Sequence, residues 1–159
     1  DGWSLMGDDA LLVSDEDSIF FGSATYKSLR LLPDSIDSLL IDNSALSRVA
    51  DYTNKKRVST KPDTDADNKS VALKAFFFLA AETSDNRIAL RQMSVAETCM
   101  GFIKNSFSLD PTDKVHAEKK LKYVSALAST VPAFELTYPR EYSRLPDVHK
   151  AIRKELASI

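Results

Sequence analysis

Two adjacent carboxylates, Asp8 and Asp9, interrupt the apolar run Leu5-Met6-Gly7-Asp8-Asp9-Ala10-Leu11-Leu12-Val13. A run of this kind, rich in Leu and Val and without helical spacing, predicts a buried strand over Leu5–Val13. Burying two carboxylates is costly unless something pairs with them: a metal ion, a basic side chain, or backbone donors at a strand end. Neighbours on a pleated strand point to opposite faces, so one carboxylate would face a site while the other ties down a loop. A plainer reading has the pair ending the strand, with both carboxylates in water or capping the next element. Downstream, Ser23–Leu32 is apolar and polar by turns, with Tyr26, Lys27 and Arg30 as its reaching side chains; on the residues alone Arg30 reads as a surface arginine on a strand or loop.

The rest of the inventory excludes several chemistries. One cysteine, Cys99, rules out an internal disulfide and fits a reducing cytoplasm. His116 and His149 lie far apart and make no metal spacing with it. Four glycines supply no Gly-rich phosphate loop of the Walker or dinucleotide type. Asp63, Asp65 and Asp67 alternate as in a calcium loop, but the glycine and distal glutamate of such a loop are missing. A net charge of −2 gives no electrostatic case for nucleic acid or an anionic membrane. Lys55-Lys56-Arg57 is short and lacks interleaved aromatics, so it is expected on a solvated face or strand edge. The longest apolar run, Ala75–Ala81, is too short to cross a bilayer.

Positioning elements follow from pattern. Ser14–Asp17 predicts an acidic turn, and Ser18–Gly22 a strand antiparallel to the first because the link is short. Pro33 should open a helix to Leu40 with Ile36, Leu39 and Leu40 inward. Ser44–Tyr52 suggests a second helix, and Thr60–Ser70 a polar surface loop. Val71–Ala81 suggests a central strand buried on both faces. It would pair as a hairpin with a half-buried strand over Arg87–Met93. Ser94 to Glu97 spells a capping box for a helix to about Asn105, with Val95, Cys99, Phe102 and Ile103 inward; Cys99 is then a small core residue. Asp110 and Pro111 should start the longest helix, with Leu121, Val124, Leu127, Ala128 and Val131 as its apolar stripe and His116 exposed. Ala133–Tyr138 alternates as a strand. Leu145-Pro146-Asp147 opens a last helix with Val148, Ile152, Leu156 and Ile159 inward. The expectation is one mixed α/β domain over 1–159, a sheet of five or six strands carrying helices.

Four stretches, taken in order, resemble one family. They are Met6–Leu12, Tyr26–Asp34, the Ala75–Leu79 strand followed by the Ser94 helix, and Val131–Tyr142 with Leu145-Pro146. Their order and spacing resemble the C-terminal kinase domain of HPr kinase/phosphorylase and its bacterial serine-kinase-like relatives. The resemblance implies a P-loop fold related to phosphoenolpyruvate carboxykinase, here apparently lacking the first strand, the P-loop and the helix after it. It implies ATP and Mg²⁺ as cofactors of the full-length family, and a serine on a protein or peptide as phosphoryl acceptor. By the resemblance, one of Asp8 and Asp9 orients Mg²⁺ and the other acts as general base on the serine hydroxyl. Arg30 sits where the family keeps an arginine near the transferring phosphate. Arg140 matches the family's Tyr-Pro-Arg ending, with anchoring of a turn as its expected role.

The departure is the missing phosphate loop. The chain begins at Asp1 without Met and soon reaches an apolar strand, which suggests a C-terminal piece of a longer kinase-like protein. Such a piece would expose sheet edge, so it should self-associate or be marginally stable, and it should not hold ATP tightly alone. The alternative is a non-catalytic module that keeps the fold and binds a peptide or protein through a sheet edge or the Thr60–Ser70 loop.

Overall fold

The structure is a computed structural model that describes residues 3, 5–25, 29–39, 46–58, 70–82, 86–108, 110 and 112–159. It is mixed α/β, and the described residues form three three-stranded sheets rather than the single larger sheet expected. The chain divides into two compact units, Asp1–Ala72 and Leu73–Ile159, where the sequence gives no sign of a boundary.

In the first unit, β1 (Leu11–Glu16) and β2 (Ile19–Ala24) form an antiparallel hairpin running from Leu11↔Ala24 to Glu16↔Ile19. Asp17 and Ser18 close it with φ of 49° and 66°. This is the left-handed pair whose twist matches the flanking strands. The acidic turn expected over Ser14–Asp17 is therefore shorter and later, because β1 stays paired through Glu16. The other end corrects a more important expectation. The strand does not begin at Leu5: its register ends at Leu11, and Thr25 Oγ1 donates to the Ala10 carbonyl at 3.1 Å. Asp8 and Asp9 lie in a bend before the strand, exposed rather than buried. β1 itself is largely exposed, with Leu12 at 62 %. The short strand β6 (Val71–Ala72) lies antiparallel on the other side of β2, and Ser23 and Ser70 share a hydroxyl hydrogen bond of 2.8 Å.

The second sheet of this unit runs β3 (Leu29–Leu31), β5 (Lys56–Val58), β4 (Leu46–Arg48), all antiparallel. The helix expected over Ser44–Tyr52 is thus a strand and a turn, because β5 offers Leu46–Arg48 a ladder that a short isolated helix could not match. Lys56 and Arg57 are exposed as expected, but on the central strand rather than an edge. Between the strands, α1 (Pro33–Leu39) starts at its proline and buries Ile36 to 2 %, while Leu39 is 47 % exposed rather than inward. Leu40, Tyr26–Ser28, Asp63–Asp67 and the loop over 60–69 lie outside the described residues.

The second unit is built on β9 (Ala133–Thr137), which is parallel to β7 (Phe76–Leu79) and antiparallel to β8 (Ala89–Gln92). Two expectations fall here. Val71–Ala81 is not one strand, since β6 and β7 are separated by Leu73-Lys74-Ala75 and belong to different units. Nor do β7 and β8 form a hairpin, because β9 inserts between them and takes the central place. The alternation read from Ala133–Tyr138 is real: Phe134 and Leu136 are 3 % and 2 % exposed, with Glu135 and Thr137 between them half-buried. Phe77 stacks on Phe134 across the ladder, 5.5 Å between centroids.

Helix α2 (Val95–Asn105) opens on the capping box predicted for it. The Glu97 N–H donates to Ser94 Oγ at 3.3 Å and the Ser94 N–H donates to Glu97 Oε2 at 2.8 Å. Its Phe102 meets Phe76 edge-on at 4.7 Å and Phe78 at 5.4 Å, which seats the helix on β7. Gly101 makes the approach possible, since a Cβ there would stand 2.8 Å from the Phe78 ring. Val95 is exposed instead of inward, and Thr98 is the buried residue of this helix; its hydroxyl donates to the Ser94 carbonyl at 2.9 Å, which removes the cost of burying it. Helix α3 (Lys114–Thr130) packs on α2 and starts later than expected. Asp113 is its cap, accepting from the His116 N–H at 3.0 Å, whereas Asp110 accepts from Thr112. Pro111 lies outside the described residues. Val124, Leu127 and Ala128 are buried and Leu121 is exposed. After a 3₁₀ turn at Tyr142–Arg144, α4 (Leu145–Leu156) buries Val148 and half-buries Ile152 and Leu156; Ile159 lies beyond its end and is exposed.

Candidate functional site

Asp8, Asp9 and Arg30 meet. Asp8 Oδ2 accepts from the Arg30 backbone N–H at 3.0 Å, and Asp9 Oδ2 lies 3.3 Å from Arg30 Nη1. β3 is an edge strand whose ladder partner is β5, so Asp8 satisfies an N–H that the sheet leaves outside. Asp9 meets the side chain of the same residue. Of the partners that the sequence leaves open for the acidic pair, two are found together, a backbone donor and a basic side chain. The setting is wet: the Arg30 and Asp9 side chains are 34 % and 48 % exposed. The bend before β1 lets both neighbours reach one residue, which a regular strand would have forbidden.

The cluster sets two carboxylates on one residue, Asp8 at the Arg30 backbone N–H and Asp9 at its guanidinium. Carboxylates of this kind can hold a hard divalent cation or accept a proton, and a guanidinium can face a phosphoryl group. Among the described residues no group of three or more His, Cys, Asp or Glu side chains is arranged to hold a metal ion.

A second polar cluster was not foreseen. Arg91 on β8 donates from Nη1 to Glu97 Oε1 at 3.0 Å, and from Nε and Nη2 to Glu135 Oε2, each at 3.2 Å. These contacts raise the Arg91 guanidinium, Glu135 contributing most and then Glu97. Glu97 is held below the ordinary glutamate range, first by the Ser94 N–H, then by the Ser94 hydroxyl and by Arg91. The cluster borders an open groove of about 530 Å³ floored by Phe78, Met93 and Met100, with Lys104 at its side. Glu97 was legible as a cap, but its link to Glu135 depends on the β8–β9 pairing, which places Arg91 opposite Glu135.

Other residues fall into structural roles. Arg140 Nη2 donates to the Ala80 carbonyl at 2.8 Å and the guanidinium lies 4.3 Å over the Tyr138 ring, tying the turn after β9 to the end of β7. That is the anchoring role expected for it. Cys99 is a half-buried thiol on α2, and His116 is exposed on α3. Among the described residues no helix is long and apolar enough to cross a membrane.

No family model, curated protein or solved structure matches the chain.

Proposed function

We propose that this chain carries part of the machinery of an ATP-dependent serine kinase of the HPr kinase/phosphorylase type, with Asp8, Asp9 and Arg30 as its reacting constellation. The observation that carries the reading is the convergence of these three residues from segments 22 positions apart on one spot beside β3. The four-motif resemblance supplies the chemistry, and the P-loop fold belongs to the same proposal. Mg²⁺ bound by ATP is the cofactor, and two carboxylates suit it, because Mg²⁺ commonly takes one or two carboxylates and fills its shell with phosphate oxygen and water. One aspartate would orient the ion. The other would accept the proton of the acceptor serine, on a protein or peptide, as the phosphoryl group leaves ATP. Arg30, already held by both aspartates, would set its guanidinium against the charge that builds on the transferring group.

Phosphoryl transfer needs a cradle of backbone N–H groups for the nucleotide, which this sequence does not contain. In the resembled family that loop precedes the Asp-Asp segment, so the reading requires a Gly-rich Lys-Ser or Lys-Thr segment ahead of Leu5 in the natural protein. Intact mass and N-terminal peptide mapping of the protein from its source test this directly. With such a segment present, Asp8→Asn, Asp9→Asn and Arg30→Ala should each lower serine phosphorylation by about 10²-fold or more. A natural chain without the segment overturns the kinase reading.

A non-catalytic binding module is the second reading. It is favoured by one feature of the cluster: both carboxylates are already engaged by Arg30, as in a structural clasp. Full retention of peptide or protein binding when all three residues are replaced would support it.

A further inference from the structure

Sheet β3–β5–β4 places a second arginine beside Arg30. In the antiparallel register Arg30 lies directly opposite Arg57, and Arg57 in turn lies opposite Ser47 on β4. Directly opposed residues share a face of the sheet with Cβ atoms about 4.5–5.5 Å apart. Arg30, Arg57 and Ser47 therefore form a row across one face, two guanidinium-bearing side chains followed by a hydroxyl-bearing one. Like charges in this arrangement repel and destabilise the ladder unless something offsets them. Arg30 has an offset in Asp9. The Arg57 side chain is exposed and has no hydrogen-bond or ion-pair partner among the described residues.

A cation on the central strand, beside another cation and without a carboxylate of its own, is a poor contribution to folding and a good one to anion binding. The guanidinium presents a fork that matches the oxygens of a tetrahedral anion, and two forks side by side can share one dianion. We infer that Arg57 is the second arm of an oxyanion site beside Asp8, Asp9 and Arg30, and that the ligand is a phosphate monoester dianion. Arg57 would bind the terminal phosphate or the phosphorylated serine while Arg30 stays tethered to the acidic pair. In the resembled family's terms Arg57 is a positioning residue for the phosphoryl group, and in that respect the inference rests on the kinase reading. The anion site itself needs only the register of the sheet.

The test is a titration of the 159-residue chain with inorganic phosphate at low ionic strength, followed through the backbone amide resonances of Arg30, Ser47 and Arg57. Saturable shifts at these three amides are expected. Arg57→Ala should weaken phosphate binding about tenfold, and Arg57→Lys should recover part of the loss by keeping the charge without the fork. Competition then identifies the source: displacement of inorganic phosphate by ADP points to the nucleotide, displacement by an O-phosphoserine peptide to the phosphorylated acceptor, and either supports the site. Absence of saturable shifts overturns the inference, and so does an unchanged affinity in Arg57→Ala with its fold retained by circular dichroism. Phosphate binding that depends on Arg57, in a natural protein found to lack a phosphate loop, would remove the kinase reading and leave the anion site standing.

Discussion

At the scale of single residues, Glu97 does two jobs with its two oxygens. Oε2 accepts from Ser94 and closes the start of α2, while Oε1 accepts from Arg91. Both favour the carboxylate, so its pKa in the folded chain lies below the unfolded value of about 4.3. A lowered pKa contributes stability that is present above the unfolded value and is lost as pH falls through the folded one. Asp110, lowered by Thr112, acts in the same direction. The urea midpoint should therefore fall as pH drops below about 5, and should fall less in Glu97→Gln, which keeps an acceptor for Ser94 but does not titrate. An equal acid slope in the two proteins would remove Glu97 from that account. The cap itself was legible in the sequence, since a Ser and a Glu three residues apart before an apolar run satisfy each other locally. The Arg91–Glu135 contact was not, because it depends on which strand lies beside which. The apolar run around Asp8 and Asp9 predicts burial for both, and the structure exposes them. Exposure in a bend is what lets both reach Arg30.

At the scale of elements, legibility follows how local the determinants are. Pro33, the Ser94 box and the alternation of Ala133–Tyr138 each set an element from within a few residues, and each element stands where expected. β4 was misread as a helix because three residues carry too little pattern to separate the two periods. β6 and β7 read as one strand because both are apolar and the break at Leu73–Ala75 is marked only by Lys74, with no proline or glycine. The approach of α2 to β7 is close at Gly101. Gly101→Ala would gain about 1 kcal/mol of helix propensity, yet the new methyl would press on the Phe78 ring, and overpacking costs about 1–3 kcal/mol. The net expectation is a loss of about 1 kcal/mol in chemical denaturation. A gain would mean that the Phe78 ring yields freely.

At the scale of the whole molecule, the chain concentrates its contacts within two units, 1–72 and 73–159. Leu136 is 2 % exposed at the centre of the second sheet system, so Leu136→Ala should cost about 2–5 kcal/mol there. Amide hydrogen exchange should show the lost protection in β7, β8 and β9, with the β1–β2 hairpin amides unchanged. Loss of protection in both would show that the units unfold as one. Division into two units was invisible in the sequence because the boundary at Ala72–Leu73 carries neither proline nor glycine and a single charged residue, Lys74, follows it.

The central place of β9 also sets a timetable for synthesis. Phe76–Leu79 leaves the ribosome before its partner, since the strand it pairs with is translated only after β8, α2 and α3. At roughly 5–20 residues per second, the interval is roughly 3–10 seconds. During that time three consecutive phenylalanines and a leucine have no ladder to join, and they form the kind of segment that recruits a neighbouring nascent chain. Those four residues therefore carry, for those seconds, a demand for chaperone cover that the finished fold, with β7 paired to β9, no longer displays.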